Sequence, residues 1–194
     1  MKKASAILLV AIFAAISVVS RGATYELAKT GTEVKITGTS SVHDWEMIVN
    51  VSKVGMQVTL DGSSLKSIEN VTFSCKATDI KSDNNLMDKK TYEALKADAF
   101  PEIKFTSAST SDLIIEGKKF KGSLKGKLNV AGQVRDVIIP FTGTINENNT
   151  LTVTAALDIS MSTYNITPPT AMLGALKTGD KVTVAFSLQF IQKS

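Results

Sequence analysis

The chain has 194 residues, 43% of them hydrophobic and 21% charged, with a formal net charge of +4 and a single cysteine. One thiol excludes an internal disulfide, so stability has to come from burial. The charge excess falls by two, to +2, once Lys2 and Lys3 are discounted as part of a leader, which leaves a mild lysine surplus and excludes a nucleic-acid footprint.

Lys2 and Lys3 precede Ala4–Val19, an uncharged apolar run of sixteen residues. That is shorter than the ~20 residues a membrane span needs. Ser20 and Ala23 offer small residues for cleavage. Residues 1–23 therefore read as a cleaved signal peptide, with the mature protein starting between Arg21 and Tyr25 and reaching the periplasm or the exterior. An uncleaved anchor is the alternative. No cysteine at the junction offers lipoprotein attachment. Residues 24–194 carry no linker, repeat or composition break and form one domain with a sizeable core.

Strand patterns follow in order. Tyr25–Ala28 and Glu33–Gly38 flank Thr30-Gly31, with Val34 and Ile36 inward; Trp45, Met47, Val49 and Val51 alternate next. Lys53-Val54-Gly55 reads as a turn into Met56, Val58 and Leu60, and Asp61-Gly62 as a hairpin. Val71–Ser82 alternates again, placing Val71, Phe73, Cys75 and Ala77 on one face. Cys75 is read there as an inert core thiol, against a reactive or dimer-forming one. Ser82–Asn85 supplies turn and N-cap residues for a short helix around residues 86–97, on which Leu86, Met87, Tyr92 and Leu95 fall near helical spacing. Pro101 ends the excursion, and Glu102–Ser107 resumes alternation with Ile103 and Phe105 inward. Leu113–Glu116, Phe120–Val130, Val134–Ile145, Leu151–Met161 and Lys181–Gln192 complete the set. Many alternating strands with short turns imply an all-β antiparallel barrel or sandwich.

The inward parity of Phe120–Val130 alternates large residues with Gly122 and Gly126, and Gly38 repeats the device. Glycine where a filled core wants leucine leaves volume in a barrel of about eight strands. The plainer reading is that these glycines let strands coil at corners. A cavity here would be lined by Trp45, Met47, Phe73, Phe105, Gly122, Leu124, Gly126, Leu128, Leu157, Met161 and Phe186, with Met172 at the mouth. Such a lining leaves polar ligands without hydrogen bonds but costs a long alkyl or prenyl chain nothing. Burying a few hundred Å² of lipid contributes on the order of 5–10 kcal/mol before ordering costs. Met172, Leu173 and Leu176, apolar residues in the Tyr164–Thr178 loop, either pack across a barrel end or form a greasy gate.

Three stretches carry a family resemblance. Asp88–Phe105, DKKTYEALKADAFPEIKF, resembles the central segment of the YceI-like family, with its Pro-x-Ile-x-Phe exit. Phe120–Phe141 resembles that family's Gly-x-Leu-x-Val-x-Gly-x-(basic)-x-Val hairpin, with Arg135 at the basic position. Residues 167–190 resemble its closing loop and Gly-Asp-x-Val strand. The early His-Ser and Gly-x-Phe segments of the family are replaced by Ser40–Glu46, and its Arg-Asp before the helix is absent. The resemblance implies a secreted or periplasmic, lipocalin-like antiparallel barrel holding a long isoprenoid lipid as ligand, with no cofactor.

Chemistry beyond binding is sparse. His43 is the sole histidine, and although Ser40, Ser41 and Asp44 are near it, no nucleophile-elbow motif occurs. One His and one Cys form no zinc set, and Asp83–Asp88 lacks the glycine and terminal Glu of a calcium loop. Lys119, Lys121, Lys125 and Lys127 form an outward row, open either to transient contact with an anionic membrane surface or to plain solvation. The sequence thus reads as an exported, non-enzymatic barrel that carries or sequesters a long apolar, isoprenoid-type lipid. A ligand-free envelope module with a filled barrel stands second and a secreted hydrolase third. Monomer and dimer are both left open.

Overall fold

Strands dominate because so many segments alternate apolar and polar side chains. The computed structural model describes residues 23–51, 53–61, 64–147 and 150–193, with the backbone alone for Asp61, Ala171 and Met172. In chain order these form β1 (Ala23–Leu27), β2 (Glu33–Ser40), β3 (Trp45–Val49), β4 (Lys53–Asp61), β5 (Ser64–Lys76), β6 (Ile80–Lys81), α1 (Asn85–Leu95), β7 (Glu102–Glu116), β8 (Lys119–Val130), β9 (Gln133–Ile145), β10 (Leu151–Ser160), β11 (Thr170–Ala171) and β12 (Leu176–Gln192). The signal-peptide reading falls outside the described residues except at Ala23, which opens β1.

Antiparallel pairing runs β1–β4–β5–β7–β8–β9–β10–β12 and closes from β12 onto β1, giving the expected eight-stranded barrel with one short helix. β12 shares one edge between two partners. β2 takes its first part, with Ser40 opposite Thr178 and Val34 opposite Phe186, and β1 takes its end, with Tyr25 opposite Gln192. β3 and β6 extend the wall beyond β2. The sheet stops at β6, and α1 packs there.

Four local expectations are corrected. Lys53-Val54-Gly55 is not a turn: β4 starts at Lys53, Val54 pairs with Phe73, and a register shift follows Gly55. The glycine marks a bulge. The strand read as Val71–Ser82 instead starts at Ser64 and breaks into a 3-10 turn at Ala77–Asp79 before β6. Glu102–Ser107 and Leu113–Glu116 are one strand, β7, interrupted by two register shifts against β8. On α1 the inward stripe is Met87, Thr91, Ala94 and Leu95, whereas Tyr92 turns sideways to donate to the carbonyls of Thr78 (3.1 Å) and Ile80 (3.0 Å).

The barrel is filled at one end only. Tyr25, Val58, Leu65 and Leu151 are at most 1% exposed. With Phe120 and Ile145 they plug the end where the β4–β5, β7–β8 and β9–β10 hairpins turn. Towards the opposite end, inward-facing Leu124, Val153, Leu157, Val184 and Phe186 are only partly buried, because they border open space.

Candidate functional site

That space is a cavity of about 540 Å³ running from the plug to a mouth. The mouth is framed by the β2–β3 loop, the start of α1, and the connection from β10 to β12. Hydrogen bonds from Ser41 N to Lys177 O (2.9 Å) and from Lys177 N to Ser41 Oγ (3.1 Å) hold two of these segments together.

α1 serves as a wall element and is fastened by its N-terminus. Asn84 Oδ1 accepts from Leu86 N and Met87 N, the N-cap expected from the sequence. Asp88 is 5% exposed and accepts from Ser82 N (2.7 Å) and Ser82 Oγ (2.8 Å), with Lys81 Nζ at 3.4 Å. Burial alone would raise the Asp88 carboxyl; the Ser82 hydrogen bonds and the Lys81 charge outweigh it and hold the group below the usual carboxylate range. At the C-terminus Lys96 adopts a left-handed conformation, and Ala77 N bonds the Pro101 carbonyl at 2.8 Å, returning the chain to the barrel.

Nine of the twelve residues expected to bind a ligand line the cavity: Trp45, Met47, Phe73, Phe105, Leu124, Leu128, Leu157, Met161 and Phe186. Met172 lies outside the residues whose side chains are described. Gly122 and Gly126 do not line it, and the volume expected above them is not free. A Cβ on Gly122 would meet Phe141 Cζ at 3.1 Å and Ser111 O at 3.2 Å, and one on Gly126 would overlap the Thr106 carbonyl and the Phe105 ring. Gly38 is covered in the same way by the Trp45 indole. These glycines seat aromatic rings from neighbouring strands, and the cavity arises instead from a wall too wide for the side chains that face it.

The reading from sequence missed the contributions of Ile68, Val153, Ile139 and the inward stripe of α1. Alternation was visible for several of these, but nothing in the sequence marked where plug ends and cavity begins. The polar side chains that touch the cavity are Ser40, His43, Asn84, Lys90, Thr91, Thr170 and Thr178. All belong to the mouth segments or α1, so polarity is confined to one end. Cys75, in the wall, is 3% exposed; burial, with the Asp79 charge adding, pushes its thiol up to about 12.

His43 and Ser40 form no catalytic relay. Ser40 Oγ donates to the His43 carbonyl (2.7 Å) and accepts from the backbone of Val42 and His43, while His43 Nδ1 faces the Asp44 carbonyl at 2.8 Å. Among the described residues no three His, Cys, Asp or Glu side chains come together as a metal site. In the outward lysine row, Lys127 pairs with Asp136 at 2.8 Å.

The model of the YceI-like domain matches residues 25–190. No curated protein matches the chain. Among solved structures, BcnA of Burkholderia cenocepacia is 19% identical, with a TM-score of 0.61 over 81% of this chain and 95% of its own. A polyisoprenoid-binding domain from Saccharophagus degradans is 10% identical, with a TM-score of 0.64 over 87% of this chain and 98% of its own. The YceI protein of Campylobacter jejuni is 15% identical, with a TM-score of 0.52 over 75% and 84%. At these identities the likeness is one of fold.

Proposed function

The chain belongs to the YceI-like family, and on that premise we propose that it is an exported lipid-binding protein that takes a long apolar chain, isoprenoid in type, tail-first into the barrel. The observation that carries this is the blind apolar cavity whose polar lining groups are confined to the mouth segments and α1. A ligand matched to it has one extended hydrocarbon tail and one small polar head. The tail meets only surface that gains from losing water, and the head stays near Ser40, Asn84 and Thr178. The polyisoprenoid binding attributed to the Saccharophagus degradans domain supports the choice of tail. The backbone-engaged Ser40 and the absence of a side-chain relay favour holding over hydrolysis. Carriage or sequestration, without a cofactor, is the role such a holder performs. The filled-barrel alternative describes the plugged end alone.

Native mass spectrometry of protein purified from its own host, followed by lipid extraction, tests the reading. We expect a bound lipid whose fragments step by isoprene units. Ala155→Phe, which places bulk in the cavity opposite Phe186, should displace it while the barrel still melts cooperatively. Protein recovered free of lipid, or carrying a polar small molecule, sinks the proposal.

A further inference from the structure

We infer that the rim of the mouth docks onto a lipid bilayer, with Val42, Leu86 and Leu173 inserted into the interface so that the cavity opens towards the acyl chains. This rests on the reading of the cavity as a lipid site. Val42 is 69% exposed, Leu86 59% and Leu173 fully exposed. They project from three separate segments, the β2–β3 loop, the start of α1 and the tip between β11 and β12, that all frame one opening. Scattered single apolar residues are ordinary on a surface, but a ring of them around an apolar cavity is not scattered.

Continuity with the cavity identifies the occupant. Leu86 is both exposed and part of the lining, Val42 sits between the lining residues Ser40 and His43, and Leu176 carries the lining up to the hairpin that bears Leu173. Apolar surface therefore runs from the rim inward. A protein seated on the rim would have to leave before a lipid could pass. A bilayer is at once the covering surface and the reservoir of the chain. Leu173 adds a second sign. Its φ is +55°, a left-handed conformation that glycine or asparagine adopts at lower cost. The fold thus keeps an exposed leucine where both solvent and backbone disfavour it, and insertion into a bilayer relieves the first of these costs. His43, Lys90 and Lys177 share these segments with Asp44 and Asp83, so the contact is apolar in character and not a field of one sign.

Flotation of the purified mature protein with neutral phosphatidylcholine vesicles tests the docking. The wild type should float, and should remain bound at about 1 M salt, where the Debye length is only ~3 Å. Replacing Val42, Leu86 and Leu173 together by serine should lower association roughly tenfold or more, since affinity for an interface scales with inserted apolar area. Ile138→Ser, equally exposed at 59% but on the outer wall of β9, should leave it unchanged. Leu173→Gly keeps the test open if the triple variant misfolds: it should melt no lower than wild type yet float less. Failure of the wild type to float, release by salt, or wild-type flotation of both rim variants overturns the docking. Lipid extraction on the same samples separates the two ideas. Lipid present without flotation defeats the docking alone, and flotation without lipid defeats the cavity reading.

Discussion

At the scale of single residues, Gly122 and Gly126 occupy equivalent places in the pattern of β8 but different places in space. Over Gly126 a methyl would press on the Thr106 carbonyl, which is backbone and cannot step aside; over Gly122 the nearest atom is the edge of the Phe141 ring at 3.1 Å. Gly126→Ala should therefore cost roughly 1–3 kcal/mol as overpacking, and Gly122→Ala clearly less, read from thermal melts of the two variants. Equal melting temperatures would show that the strands yield. Cys75 offers a second check. Buried, and with its thiol pushed up to about 12, it holds almost no thiolate near neutral pH. Iodoacetamide should label it only after the barrel is unfolded, and oxidation should yield no disulfide-linked dimer from the native protein.

Among the elements, α1 depends on one buried carboxylate. Asp88 ties the helix to β6 through Ser82 and Lys81. Its carboxyl is depressed in the folded state, so its contribution is complete above the ordinary carboxylate value of about 4 and is lost as the pH falls through the depressed value. Asp88→Asn should cost about 1–3 kcal/mol and flatten the acid limb of stability against pH. Amide exchange should place the loosening in α1 while the hairpins at the plugged end stay protected. What could be read from the sequence follows the same division. β8, β9, β10 and most of β12 keep strict alternation, and their faces were legible. β5 and β7 were not. Asn70 and Asp112 adopt positive φ near register shifts, and each extra residue moves the apolar set to the other parity, as in the spacing of Leu65, Ile68 and Val71. The site was partly legible for a related reason. Large apolar residues on inward parity, four of them aromatic, identified nine wall positions, but whether an inward glycine faces a void or a ring depends on the neighbouring strand.

For the molecule as a whole, the half-filled barrel couples stability to occupancy. The plug packs without ligand, while the wall around the cavity lacks contacts on its inner side. A lipid that binds the folded state alone should raise the melting temperature, by an amount that grows with the logarithm of free lipid. Ala155→Phe should abolish that dependence while leaving the melt of the lipid-free protein close to wild type. A calorimetric series over lipid concentration measures both.

The closed end has one more consequence, and it is kinetic. With Tyr25, Leu65 and Leu151 blocking the far side, a chain that has entered can leave only by retracing its path. On the proposed carriage role, cargo could not be received at one pole while delivered at the other, so donor and acceptor would have to take turns at a single doorway. Steady-state exchange between two vesicle populations should then follow a ping-pong rate law, with parallel double-reciprocal lines. An excess of acceptor should slow transfer by competing with donor for the same face. A barrel open at both ends would show neither behaviour.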